Sequence, residues 1–275
     1  MSSLIREPRH QSILLDRRLS IATAFLVILG ATFLLAPGSI ALKTHMALHG
    51  LCAQRPSHSL LIGGTALPMD ARMTGIYIGA AVAVGCLIAF GRLRAARTPS
   101  RAVVVLLALF VVALAVDGFN ALLVDLGATH PYEPSNELRL ATGILAGTAL
   151  GVVLGHLFAA SMWAQPDQRR SVVASPFEPL APVGISAAIG ALAAADLSIL
   201  YAPLAVGLLL ATIGIFSLLG IIMLALISDR GWSHRSFNDL VPLAMAGFAA
   251  AVLIVGGLAW FRFMAEKFLG LPQLT

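Results

Sequence analysis

The chain has 275 residues, of which 59% are hydrophobic and only 11% charged, with a formal net charge of +5. Soluble domains carry about 25% charged residues, so a water-soluble fold is excluded and the bilayer must be the solvent. The basic excess forms no run interleaved with aromatics and is arginine apart from Lys43 and Lys267, which argues against nucleic acid and for loops that set membrane orientation.

In chain order, a basic leader over residues 1–19 holds Arg6, Arg9, Arg17 and Arg18. Apolar runs long enough for a ~30 Å hydrocarbon core follow at 20–36, 73–90, 102–126 and 140–163. Three more lie at 183–202, 204–228 and 240–263, the first two joined by a tight Tyr201-Ala202-Pro203 turn. The first run reads as an uncleaved signal anchor because six spans follow it; a signal peptide cleaved near Ala36-Pro37-Gly38-Ser39 is the alternative. The expected fold is all-α, a polytopic bundle of seven transmembrane helices. It divides into the leader (1–19), a four-helix membrane unit (20–163) and three further helices (164–275).

Charge sorts the connecting loops. The leader, Arg92/Arg94/Arg97/Arg101, Arg169/Arg170 and Arg230/Arg235 fall on one side, while the other side carries Lys43, Arg55, Arg72, Arg139, Arg262 and Lys267. The positive-inside bias places the N-terminus in the cytoplasm and the C-terminus outside. Loops 43–72 and 127–139 are then extracytoplasmic, and they hold most of the polar residues of interest.

Arg72 and Arg139 each enter a helix in its first turn, after Asp70 and Ser135 as caps. A cation there opposes the helix dipole, so a carboxylate, an anion or a phosphate headgroup should compensate it. Asp117 lies inside the third span with Asn120 on the same face, and an unpaired charge at that depth is costly. Asp196 lies near the end of the fifth span. Arg72, Asp117, Asn120, Arg139, Asn136 and Tyr77 form the candidate anion site. His45, His49 and Cys52 share helical spacing, and His58 and Asp70 follow, which suggests a metal site. Gly50 reads as a C-cap that turns Cys52 off that face, so coordination is disfavoured. His156 stands alone in the fourth span and reads as a packing histidine. Cys52 and Cys86 imply no disulfide framework. Gly143, Gly147, Gly151 and Gly155 recur every four residues, and Gly75 and Gly79 answer them in the second span, a pattern for close helix packing.

Four motifs stand in order: Cys52-x-x-x-Pro56-x-x-Ser59, Ala71-Arg72-x-Thr74-Gly75-Ile76-Tyr77-x-Gly79, Asp117-Gly118-x-Asn120, and Asn136-x-Leu138-Arg139-x-x-Thr142-Gly143. Together they resemble the uncharacterised prokaryotic membrane proteins grouped as domain of unknown function 2085, over about residues 52–155. The resemblance implies a prokaryotic plasma membrane (the inner one where there are two) and names no activity or cofactor. Members of that group tend to have a Cys-x-x-Cys pair where this chain has Asp70 and Met73, and a histidine where it has Ala53. A dithiol or multi-thiolate centre cannot form from Cys52 alone.

The leading functional expectation is a membrane protein that binds, or transports, a small anion or anionic lipid headgroup in an outward polar pocket. Beyond the lipid bilayer, the alternative partners are other membrane subunits, with the chain a non-catalytic part of a larger complex. A metal-assisted membrane enzyme is the third reading. Against it, the chain has no Ser-His-Asp order, His-Glu-x-x-His run, Walker loop or dinucleotide fingerprint, so the expectation leans away from an enzyme.

Overall fold

The structure is a computed structural model that describes residues 8–229 and 231–270, with side chains from Leu19 onward. The leader's first seven residues and Arg230 lie outside the described residues. Helix makes up 71% of the chain. In order come α1 (Pro8–Leu35), α2 (Ile40–Leu48), β1 (Ser59–Ile62), β2 (Thr65–Asp70), α3 (Ala71–Ala89), β3 (Ala95–Arg97) and α4 (Arg101–Asp125). Then follow α5 (Asn136–Met162), β4 (Asp167–Ser171), α6 (Leu180–Ala194), α7 (Tyr201–Ile227) and α8 (Val241–Leu269).

Among the described residues, five helical stretches are long and apolar enough to cross a membrane: Ala71–Ala89, Arg101–Asp125, Asn136–Met162, Ser198–Ile227 and Phe237–Leu269. A sixth is counted if α1 and α2, bent by 118° at residues 36–39, are taken as one broken span. The run expected at 183–202 folds differently. α6 stops at Ala194 after 15 residues, about 22 Å of helix, because Asp196 takes a left-handed conformation (φ 53°) before a short 3-10 turn.

The bundle has two polar ends. At the arginine-rich end, β3 pairs with β4 in parallel, Trp163 bridges His234, and Arg92 meets Glu178 at 3.5 Å. The indole of Trp163 is fully buried there, donates to the Leu93 carbonyl and carries the Arg94 guanidinium 4.1 Å above its ring. At the opposite end, β1 and β2 form a hairpin that the all-α expectation did not include. Its turn is Gly63-Gly64, with φ of 57° and 76°, a conformation that suits glycine pairs between antiparallel strands. Asp196 accepts a hydrogen bond from Gly63 N–H at 2.6 Å, tying the hairpin to the turn between α6 and α7.

α5 runs through the middle of the bundle. Its most apolar window is 67% buried, against 22% for α4, which leaves most of α4's surface free to face lipid. Glycines line the crossing of α5 with α3. A Cβ on Gly147 would collide with the Ile76 carbonyl, one on Gly143 with the Arg72 carbonyl, and one on Gly75 with the Leu140 carbonyl. At Gly79 it would fall 2.6 Å from the Ile144 carbonyl, and at Gly151 2.5 Å from the Ala80 carbonyl. The added Cβ of Gly155 meets the end of the Leu87 side chain instead.

Candidate functional site

The caps that start α3 and α5 are built as their sequences suggest. Asp70 Oδ1 accepts from Met73 N–H at 2.8 Å, and Ser135 Oγ accepts from Leu138 N–H at 3.2 Å. Both helices begin at the hairpin end, so Arg72 and Arg139 emerge from the same side of the bundle.

Arg72 has a carboxylate. Its Nη2 lies 2.6 Å from Asp117 Oδ2, and Asp117 is 1% exposed. Asp117 sits eight residues before the end of α4, about 12 Å below it, where an unpaired charge would be strongly disfavoured. Two further groups complete its shell. Tyr132 Oη donates to Oδ1 at 3.3 Å, and Thr142 Oγ1 lies 3.4 Å from Oδ2. Asn120, one turn on, holds the loop that delivers Tyr132: its Nδ2 donates to the Tyr132 carbonyl at 2.8 Å and its Oδ1 accepts from Tyr132 N–H at 3.4 Å. Burial and the Asp117 charge push the Tyr132 phenol up, so it stays a donor.

Arg139 faces elsewhere. Its guanidinium, in a residue 9% exposed, donates to Asn136 Oδ1 at 2.9 Å and approaches His58 Nε2 at 3.5 Å. Among the described residues no carboxylate forms an ion pair with it. Asn136 is itself anchored, donating through Nδ2 to the Ser57 and Ser59 carbonyls at 3.1 and 3.3 Å. Partial burial, then the charges of Arg139 and Arg55, lower the His58 pKa below its ordinary 6.5, so the ring is neutral and can accept. Arg55 pairs with Asp125 at 3.2 Å, both well exposed.

The six candidate residues therefore separate. Arg72, Asp117 and Asn120 share one closed cluster. Arg139 and Asn136 form a second, joined to the first through Thr142, whose Oγ1 reaches both the Arg139 carbonyl and Asp117 Oδ2. Tyr77 belongs to neither: it is buried on α3 with its ring 6.4 Å from that of Phe216.

The residues considered for metal also disperse. His45 Nδ1 bonds the Ala41 carbonyl at 2.9 Å. His49 is engaged on both edges, Nδ1 with Gln54 Oε1 at 2.9 Å and Nε2 with Glu266 Oε2 at 2.8 Å, and it stacks on Phe263. Cys52 Sγ–H donates to Asp70 Oδ2 at 3.4 Å, while Sγ accepts from the N–H groups of Asp70 and Gln54. Burial raises the thiol pKa above 9.0, so it remains protonated at neutral pH. Among the described residues no three His, Cys, Asp or Glu side chains are grouped to hold a metal.

Sequence reasoning missed the contribution of α8. Arg262 Nε donates to Glu266 Oε1 at 2.8 Å, and its Nη1 donates to the carbonyls of His49 and Cys52. An acid and a base four residues apart in the last turns of an apolar helix were the available signal, since such a pair supports itself and marks a polar contact. Gln54, Tyr132 and Thr142 carried no comparable signal, being uncharged.

Residues 52–153, little more than a third of the chain, match a family described as predicted membrane protein (DUF2085). No curated protein matches the chain, and no solved structure does.

Proposed function

We propose that this multi-pass membrane protein has seven spans, with a cytoplasmic N-terminus and an extracytoplasmic C-terminus, in a prokaryotic plasma membrane. In this reading its outer end binds a small anion or an anionic lipid headgroup. The observation that carries the reading is Arg139, a buried guanidinium whose side-chain partners, Asn136 and His58, are both neutral. A desolvated cation needs a counter-charge, and an oxyanion fits the planar guanidinium donors. Arg55 offers a second cation nearby, because its exposed pair with Asp125 is weak and opens at little cost. Arg72 is not part of this site, since Asp117 already neutralises it.

What supports a seventh crossing is the position of α6. Glu178, just before it, pairs with Arg92 at one polar end, and Asp196, just after it, receives Gly63 at the other. The loop arginines then give the direction.

The test is native mass spectrometry of full-length protein purified in mild detergent without phosphate. The wild type should carry a phospholipid or small oxyanion that Arg139→Gln loses and Arg139→Lys partly keeps. Identical bound species in wild type and Arg139→Gln would refute the site.

A further inference from the structure

Expected from sequence to be a satisfied packing residue, His156 is not satisfied. Its Nδ1 is buried without a hydrogen-bond partner. The ring lines a groove of about 500 Å³ between α4 and α5, walled by Val104, Leu107, Val111, Ala149 and Val153. It lies six residues before the end of α5, about 9 Å beneath the arginine-rich end. With Nδ1 shut away from any acceptor among the described residues, the neutral ring best keeps its proton on the other nitrogen, and a membrane component with an acceptor is the natural complement of that donor.

Pro99 is also among the lining residues, and Arg97 and Arg101 stand two positions to either side of it in sequence, both exposed and neither in an ion pair among the described residues. A phosphate at the mouth, ester carbonyls a few ångströms below and an acyl chain along apolar walls reproduce the order of groups in a phospholipid. Loop arginines alone set orientation without selecting a lipid; the groove and its histidine define a single seat.

We propose that this groove holds one anionic phospholipid from the leaflet at the arginine-rich end. Arg97 and Arg101 take its phosphate, the accessible nitrogen of His156 donates to an ester carbonyl, and one acyl chain lies between α4 and α5. The buried Nδ1 then carries only a lone pair, which is better tolerated without a partner than an N–H. This seat is separate from the one at Arg139.

Native mass spectrometry of the full-length protein, loaded with phosphatidylglycerol or phosphatidylcholine at equal concentration, tests it. The wild type should retain phosphatidylglycerol roughly fivefold or more over phosphatidylcholine, as one or two phosphate-facing arginines imply. Arg97→Gln/Arg101→Gln should erase that preference. His156→Leu should weaken retention of both lipids about fivefold, as loss of one hydrogen bond implies, while His156→Gln, which keeps a donor, restores it. Arg139→Gln should leave this lipid in place. Equal retention of the two lipids by wild type, or wild-type retention by His156→Leu or by the double arginine variant, would overturn the proposal.

Discussion

Asp117 shows how one carboxylate organises its surroundings. Three elements aim polar groups at it: Arg72 from α3, Thr142 from α5 and Tyr132 from the loop that Asn120 pins. Removing one partner of a buried pair strands the other, at a cost of about 3 kcal/mol or more. Asp117→Asn and Arg72→Gln should each lower thermal stability in detergent by that order. The double variant should be less damaged than either single one, because no charge is left unpaired; additive losses in the cycle would contradict a direct pair. His58 supplies a pH signature. Its pKa is lowered, so the neutral ring stabilises the fold fully above 6.5, and that contribution is lost as pH falls through the folded-state value. A bound anion reverses the sign locally, since a protonated His58 adds a second cation beside Arg139. Phosphate affinity should therefore rise as pH falls through the lowered pKa of His58, and His58→Gln should flatten that dependence. The intramembrane carboxylate and both helix caps were legible because each violates or completes a simple rule. Which arginine Asp117 would choose was not, because two candidates share the same sequence context and only side-chain direction separates them.

Among the elements, the crossing of α3 and α5 makes the sharpest demand on sequence. Backbone carbonyls of one helix occupy the space where side chains of the other would begin. Gly147→Leu must separate the two backbones, so it should cost about 2–3 kcal/mol in detergent unfolding. Gly85, on α3 itself, has nothing within 4 Å of its added Cβ. Gly85→Leu should be close to neutral, and equal losses at the two positions would show that helix geometry rather than contact is being measured. Long apolar helices were readable from hydropathy because each must cross ~30 Å unaided. The β1–β2 hairpin was missed although Gly63-Gly64 stands between Leu60-Leu61-Ile62 and Thr65-Ala66-Leu67, a recognisable hairpin signal once the loop is not assumed irregular. The end of α6 was misplaced because Ala195 and the residues after Asp196 are apolar enough to extend a hydropathy window. The left-handed turn at Asp196 is instead fixed by its bond to Gly63, more than a hundred residues away.

Across the whole molecule, two polar ends bracket an apolar bundle, and chemistry divides between them. The arginine-rich end is bound together by β3 with β4, the Trp163–His234 bridge and the Arg92–Glu178 pair. The hairpin end gathers carboxylates, histidines and arginines from α2, α3, α4, α5 and α8, and Arg139 is the buried cation there whose bonded partners are all neutral. Loop charges announced this division in the sequence, whereas the Arg262–Glu266 pair on α8 marks a polar contact without naming residues 49–54 as its partner. The most direct measurement is the rate at which a membrane-impermeant maleimide labels Ser57→Cys, beside the Asn136–Arg139 cluster, in intact cells with Cys52 and Cys86 replaced by serine. Labelling without lysis, slowed by inorganic phosphate or glycerol phosphate and unaffected by either once Arg139 is changed to Gln, is the predicted result. Labelling only after lysis, or at a rate indifferent to both anions while Arg139 is present, would contradict an outward anion site.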